Sequence, residues 1–248
     1  MELISRGMSD CGLKREINQD GIRVLQQGRS GLFLVADGMG GHQHGERASR
    51  CLTQAYQDWW TQVFLPAPNQ DFGVLMMSLK QVLYRTHEQI RETTPPGEIC
   101  GSTIVLLLIH ENSYGIINVG DSRAYQAKGF GFRLMTADDV WENLPQTMQS
   151  YSKKEIINHE NYGKLVQAVG VGGQISCHAR TDRLKGKQMF FLCSDGVYKY
   201  CDNRYLEKEI KTALKTGYLS ESMERIRKKV YDNMAPDNLS AVMVRVEE

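Results

Sequence analysis

The chain has 248 residues, 41% of them hydrophobic and 24% charged, with 30 lysines and arginines against 29 aspartates and glutamates. That length is enough to bury a full core and fits one large domain. A net charge of +1 offers no electrostatic footprint for nucleic acid or an anionic membrane surface, and no apolar run approaches the ~20 residues of a membrane span.

The opening residues, MELISRGMSDCG, have neither the basic nor the apolar region of a secretory signal, so a cytoplasmic protein is expected. A first apolar run at 32–36 is short and rich in Val, Leu and Phe, which predicts a strand. Helical patterning follows at 45–60 and 72–92, with a break at 66–69. In the second stretch Leu75, Leu79, Val82, Leu83 and Ile90 recur at helical spacing. Two further apolar runs, 104–109 and 114–119, are joined by a polar link and predict an antiparallel hairpin. From 139 to 164 the chain turns polar and loses any long apolar run. We read that segment as a flap inserted over a rigid scaffold, within a single domain spanning 1–248. Strands are predicted again at 189–193 and 241–246, and helices at 204–216 and 220–233. The basic run Arg225, Arg227, Lys228, Lys229 in the last helix is expected to be a solvated face. The six cysteines (Cys11, Cys51, Cys100, Cys177, Cys193, Cys201) form no C-x-x-C pair and no zinc spacing, so free thiols are expected. Strand-rich patterning flanked by amphipathic helices implies sheets packed in layers with helices outside.

Aspartates recur where predicted strands end. Asp37-Gly38 follows LFLVA, Asp121 follows YGIINVG, Asp195-Gly196 follows MFFLCS, and Asp237-Asn238 precedes the last strand. Asp20 closes the motif R-E-I-N-Q-D at 15–20. One Asp-Gly is a common turn; five aspartates at strand ends can be aimed into one cleft. Clustered carboxylates repel one another unless cations neutralise them. Magnesium and manganese suit an all-oxygen site, and no competing Cys/His set points to zinc. Two such ions can activate a shared water and clamp an in-line displacement at phosphorus. Arg15, five residues before Asp20, is the candidate for the phosphate clamp, because a guanidinium binds phosphate oxygens in bidentate fashion. Its plain alternative is a surface ion pair.

These motifs, taken in order, resemble the metal-dependent serine/threonine protein phosphatases of type 2C, in their bacterial branch. The ordered set is R-E-I-N-Q-D at 15–20, V-A-D-G-M-G-G-H at 35–42, G-E-R-A-S at 45–49, G-S-T at 101–103, N-V-G-D-S-R-A-Y at 118–125, L-V-Q-A-V-G at 165–170, L-C-S-D-G at 192–196 and D-N-L-S at 237–240. The resemblance implies an α+β, four-layer αββα sandwich: two mostly antiparallel sheets flanked by helices, with the site at one end. It implies two Mn2+ or Mg2+ ions. Asp37 would bridge them, the Gly38 carbonyl would bind one, and Asp195 and Asp237 would hold the other. Asp20 would position metal-bound waters and Arg15 would bind the substrate phosphate. Asp121 and Asp195 would form a third, weaker metal site. The implied reaction is hydrolysis of phosphoserine and phosphothreonine by attack of a metal-bridged water. The implied partners are phosphorylated proteins, namely a bacterial Ser/Thr kinase and its targets; a monomer is the default.

Three positions depart from the family pattern. Gln19 stands where many relatives have glutamate. Met39 stands where animal relatives carry a histidine proposed as general acid, and His42 could donate that proton instead; a structural histidine is the other reading. Asp138-Asp139 replaces an Asp-His pair beside the flap. A non-catalytic regulatory module of the same fold would be expected to lose the aspartates or the arginine, and this chain keeps them.

Overall fold

In the computed structural model the residues described are 1–40 and 44–247; His42 lies outside them. In chain order the elements are β1 (Glu2–Asp10), β2 (Asp20–Gln27), β3 (Ser30–Gly40), α1 (His44–Trp59), α2 (Phe72–Thr93), β4 (Cys100–Ser102), β5 (Ile104–His110), β6 (Ser113–Val119), β7 (Arg123–Lys128), β8 (Gly131–Leu134), α3 (Pro145–Ser150), α4 (Lys153–Ile157), β9 (His178–Arg183), β10 (Gln188–Cys193), α5 (Asp195–Tyr198), α6 (Asn203–Thr216), α7 (Leu219–Asp232) and β11 (Leu239–Glu247). Two antiparallel sheets result. One runs β1-β11-β10-β7-β8; the other runs β2-β3-β5-β6-β9, with β4 paired to β3.

Each central strand is buried on both faces, and its alternation divides it between two cores. In β5, Ile104, Leu106 and Leu108 face α1 and α2, together with Leu52, Tyr56 and Leu79. Its other face, Val105, Leu107 and Ile109, meets Phe190, Leu192, Val242 and Val244 of the opposite sheet. Met189, Phe191, Ala241 and Met243 then pack beneath Leu206, Ile210, Ile226 and Val230 of α6 and α7. Helix, sheet, sheet, helix: the expected four layers are present.

The predicted strands lie within β3, β5, β6, β10 and β11, and the predicted hairpin pairs Ile104 with Val119 and Ile109 with Tyr114. The four predicted helices are α1, α2, α6 and α7, with their ends moved by a residue. Local chemistry explains those ends. Asp71 caps α2 by accepting from the Gly73 and Val74 amides, and Asp202 caps α6 by accepting from Arg204 and Tyr205. All six cysteines are free thiols. Among the described residues no helix is long and apolar enough to cross a membrane.

The polar segment 139–164 is a closed excursion. Its ends are laced by Trp141 N–H to the Lys164 carbonyl at 2.9 Å and Val166 N–H to the Asp139 carbonyl at 2.9 Å. Inside it, α4 starts with a Ser152/Glu155 capping box. Trp141 stacks on His159 with ring centroids 4.1 Å apart, and Tyr151 packs edge-on against the same imidazole.

Candidate active site

The site is built where strands of both sheets stop at the same end of the sandwich. Asp20 opens β2 and pairs in register with Asp37 near the end of β3. Asp121 follows β6, Asp195 follows β10 as the first residue of α5, and Asp237 precedes β11. A cleft of about 240 Å³ is lined by Arg15, Asp37, Asp121, Asp195 and Asp237. Gln19, Gly38, Met39, Gly40, Thr103, Leu165 and Asn238 complete its walls. Asp20 sits behind it.

The glycines after two of these aspartates are required by close backbone approach. A Cβ on Gly38 would stand 2.2 Å from the Gly45 carbonyl oxygen and 2.5 Å from that of Gln19. One on Gly196 would stand 1.9 Å from the Asn238 carbonyl oxygen. Neither position tolerates a side chain. The G-S-T motif fixes the end of β3: the Asp37 carbonyl accepts from the Thr103 amide at 2.8 Å and from Ser102 Oγ at 3.0 Å. Thr103 Oγ1 in turn lies 2.6 Å from Ser122 Oγ, beside Asp121.

Asn238 holds the loop that carries Arg15. Its Oδ1 accepts from the Gln19 amide at 2.9 Å, and its Nδ2 donates to the carbonyls of Cys11 and Ile17, each at 3.0 Å. Arg15 then reaches the mouth of the cleft. Its Nε and Nη2 donate to the two oxygens of Asp237 at 2.8 and 2.9 Å. The guanidinium is thus aimed at the carboxylates in the fork geometry that also fits phosphate.

Electrostatically the cluster carries more negative charge than it compensates. Burial pushes the Asp20 carboxyl up to about 7; the nearby Ser240 and Ser194 hydroxyls oppose the rise, and Asp195 and Asp237 add to it. Burial, then the charges of Asp20 and Asp195, raise Asp37 well above the ordinary carboxylate range. Burial and Asp195 also raise Asp121, against the pull of Lys199. One oxygen of Asp20 accepts from Ser194 Oγ at 2.9 Å. The other, Oδ1, is buried with no protein partner. Such a group is costly unless something charged or polar meets it.

Among the described residues no three His, Cys, Asp or Glu side chains stand in ready metal-binding geometry. Two protein cations draw the carboxylates aside: Arg15 takes Asp237, and Lys199 Nζ lies 2.6 Å from Asp195 Oδ2. The donor set nevertheless fits a hard divalent ion. It is all oxygen, its negative charge is in excess, and Asp20 Oδ1 is orphaned beside it.

Lys199 and Asn238 carry structural weight that motif reading did not assign. Burial works against the Lys199 charge, but the Asp195 carboxylate with its hydrogen bond, and then Asp121, hold it above its ordinary value. The spacing of four residues from Asp195 to Lys199 across a helical turn was the available signal. Asp138 and Asp139, the unusual pair beside the excursion, both have partners. Asp138 Oδ2 accepts from Arg123 Nη2 at 2.6 Å and from its Nε at 3.0 Å, and Oδ1 accepts from the same Nε at 3.2 Å. Asp139 accepts from the Gly120 amide at 2.8 Å, from Gln167 at 3.0 Å and from His178 Nε2 at 2.8 Å. It therefore ties the Asp121 turn to the stem of the excursion.

Two antiparallel sheets flanked by helices, with carboxylates and an arginine gathered at one end, are the arrangement the sequence led us to expect of a phosphoester hydrolase. The model of the protein phosphatase 2C family matches residues 13–244, and the chain belongs to that family. The serine/threonine phosphatase stp of Listeria monocytogenes serotype 4b is 26% identical over 238 residues, covering 95% of this chain and 93% of its own. The serine/threonine phosphatase of S. agalactiae matches with a TM-score of 0.86 at 21% identity, over 99% of this chain and 100% of that one. The catalytic domain of the phosphatase PstP in complex with 2 manganese ions matches with a TM-score of 0.78 at 23% identity, over 99% of each chain. The protein is a phosphoprotein phosphatase.

Proposed function

We propose that this cleft hydrolyses phosphoserine and phosphothreonine on cytoplasmic proteins with two bound Mn2+ or Mg2+ ions. The observation that carries it is the half-buried, over-negative cluster of Asp20, Asp37, Asp195 and Asp237, with an orphaned carboxylate oxygen beneath the cleft and a guanidinium at its mouth. Asp37, the Gly38 carbonyl, Asp195 and Asp237 would hold the ions; when bound, these supply Lewis-acid activation of water and of the phosphoryl group. Behind them, Asp20 keeps one oxygen on Ser194 and has the other free to orient water. Arg15, released from Asp237, grips two phosphoryl oxygens and holds the ester in line. The ester P–O bond breaks, water supplies the new P–O bond, and the serine or threonine alkoxide takes a proton. We assign that proton to His42.

In the same reading residues 1–248 form one catalytic domain and the excursion at 139–164 is a flap beside the cleft. Leu165, at its foot, is the cleft wall nearest the flap. The expected partners are a Ser/Thr kinase and its phosphorylated targets, and the working unit is a monomer.

The test is release of phosphate from a phosphothreonine peptide with Mn2+, with Mg2+ and with EDTA. Turnover that EDTA abolishes and Asp37→Asn reduces by at least about a thousandfold is the expected result. Turnover that survives either change in a folded protein would overturn the ligand assignment.

A further inference from the structure

The resemblance assigns a third, weaker divalent site to Asp121 and Asp195. In this chain that pair is already bridged. Lys199 follows α5, and its backbone amide donates to the Asp195 carbonyl at 3.0 Å. Its Nζ lies 2.6 Å from Asp195 Oδ2 and 3.4 Å from Asp121 Oδ2. The same oxygen of Asp121 accepts from the Tyr198 hydroxyl at 3.2 Å. Tyr198 is itself held in place: the Arg123 guanidinium covers its ring at 3.7 Å, and Asp138 fixes Arg123 from the other side. Asp121 is buried, and one of its two carboxylate oxygens, Oδ2, is turned toward Tyr198 and Lys199. A divalent ion joining Asp121 to Asp195 needs oxygens at roughly 2.0–2.6 Å, depending on the ion. It would have to displace the ammonium or stand beside it against direct repulsion.

We propose that Lys199 is a built-in replacement for the third divalent cation, so that the chain itself limits the site to two ions. The inference rests on the two-cation reading above. Lys199 is a positioning residue in this role: it neutralises the outer edge of the carboxylate cluster and holds Asp195 and Asp121 apart from a third ion. The compensation is monovalent and covalently tethered, so it does not vary with metal concentration.

The experiment is equilibrium dialysis against saturating Mn2+, counting ions per chain, with circular dichroism to confirm folding. Native protein and Lys199→Arg, which keeps the charge, are expected to bind two ions. Lys199→Asp, which puts a third carboxylate beside Asp121 and Asp195, is expected to gain one ion per chain. Lys199→Ala provides the same test without a new charge and is expected to gain a weaker third ion. Three ions on the native protein, or no gain in whichever of Lys199→Asp and Lys199→Ala folds, overturns the role of Lys199 while leaving the two-cation reading intact. No bound ion on the native protein sinks the two-cation reading and this inference with it. Asp37→Asn, losing ions while Lys199 is untouched, separates the two.

Discussion

Asp20 is one of two residues, with Asp37, at which the cost of this site is concentrated. Without cations its carboxyl is held at about 7 by burial and by the neighbouring charges of Asp195 and Asp237, against a value of 3.8 in an unstructured chain. Between those values the folded state binds more protons than the unfolded state, so this group removes stability as pH rises. The full contribution is present below about 4 and is lost by about 7. The size is on the order of a few kcal/mol, shared with Asp37. In EDTA, the melting temperature of Asp20→Asn should therefore exceed that of the native protein increasingly from pH 4 to pH 7. A difference that is flat with pH would show that Asp20 is not the strained group. Arg15 behaves in the opposite way. Its side chain is about half exposed, so losing the ion pair with Asp237 should alter stability by less than about 1 kcal/mol. Arg15→Ala should instead raise KM for a phosphopeptide about tenfold, or ~1.4 kcal/mol of binding. Arg15→Lys should recover only part, since an ammonium lacks the bidentate fork. An unchanged KM would remove Arg15 from the phosphate.

The elements place these residues through a few backbone-directed side chains, and Asn238 is the plainest case. It joins the start of β11 to a loop more than two hundred residues earlier through three hydrogen bonds to main-chain groups. Asn238→Ala would leave the Gln19 amide and the Cys11 and Ile17 carbonyls short of partners, a loss of about 2–4 kcal/mol in urea unfolding. Because that loop carries Arg15, KM should rise as well. A stability loss with KM unchanged would mean that the loop holds Arg15 without the clamp. Such ties explain what could and could not be read from the chain. Strands β3, β5, β6, β10 and β11 were legible because both faces are buried, which writes them as unbroken apolar runs. By contrast β9 is HARTDR, exposed along its length and held on the sheet edge by main-chain pairing to β6. Nothing in its side chains announces a strand, although such a charged edge discourages pairing with other molecules. Asp37 and Asp195 were legible because an apolar strand that leads into Asp-Gly leaves a local mark. Lys199 left only its four-residue spacing from Asp195, and the Asn238 clamp left no local mark, since its partners lie in a loop more than two hundred residues away.

At the scale of the whole molecule, the scaffold and the excursion at 139–164 are separable in their packing. The three apolar cores belong to the sheets and to α1, α2, α6 and α7, whereas the excursion builds its own small cluster from Trp141, Tyr151 and His159. Its stem is already closed by main-chain hydrogen bonds and by the bridge between Val140 and Leu165. Residues 142–163 can therefore be replaced by a two-residue Asn-Gly turn without opening a core, because the chain on either side already meets as antiparallel partners. The shortened protein should melt within about 2–4 °C of the native one, corresponding to roughly 1 kcal/mol or less for an element outside the cores. Its hydrolysis of a small aryl phosphate should change by no more than about threefold, less than 1 kcal/mol in transition-state energy, because none of Arg15, Asp20, Asp37, Asp195 or Asp237 lies in the excised segment. If the excursion is the substrate-facing flap proposed above, the shortened protein's discrimination among phosphopeptides should fall. Equal loss on the aryl phosphate and the peptides would place residues 142–163 in the support of the catalytic cleft, and unchanged peptide kinetics would deny the flap any part in substrate choice.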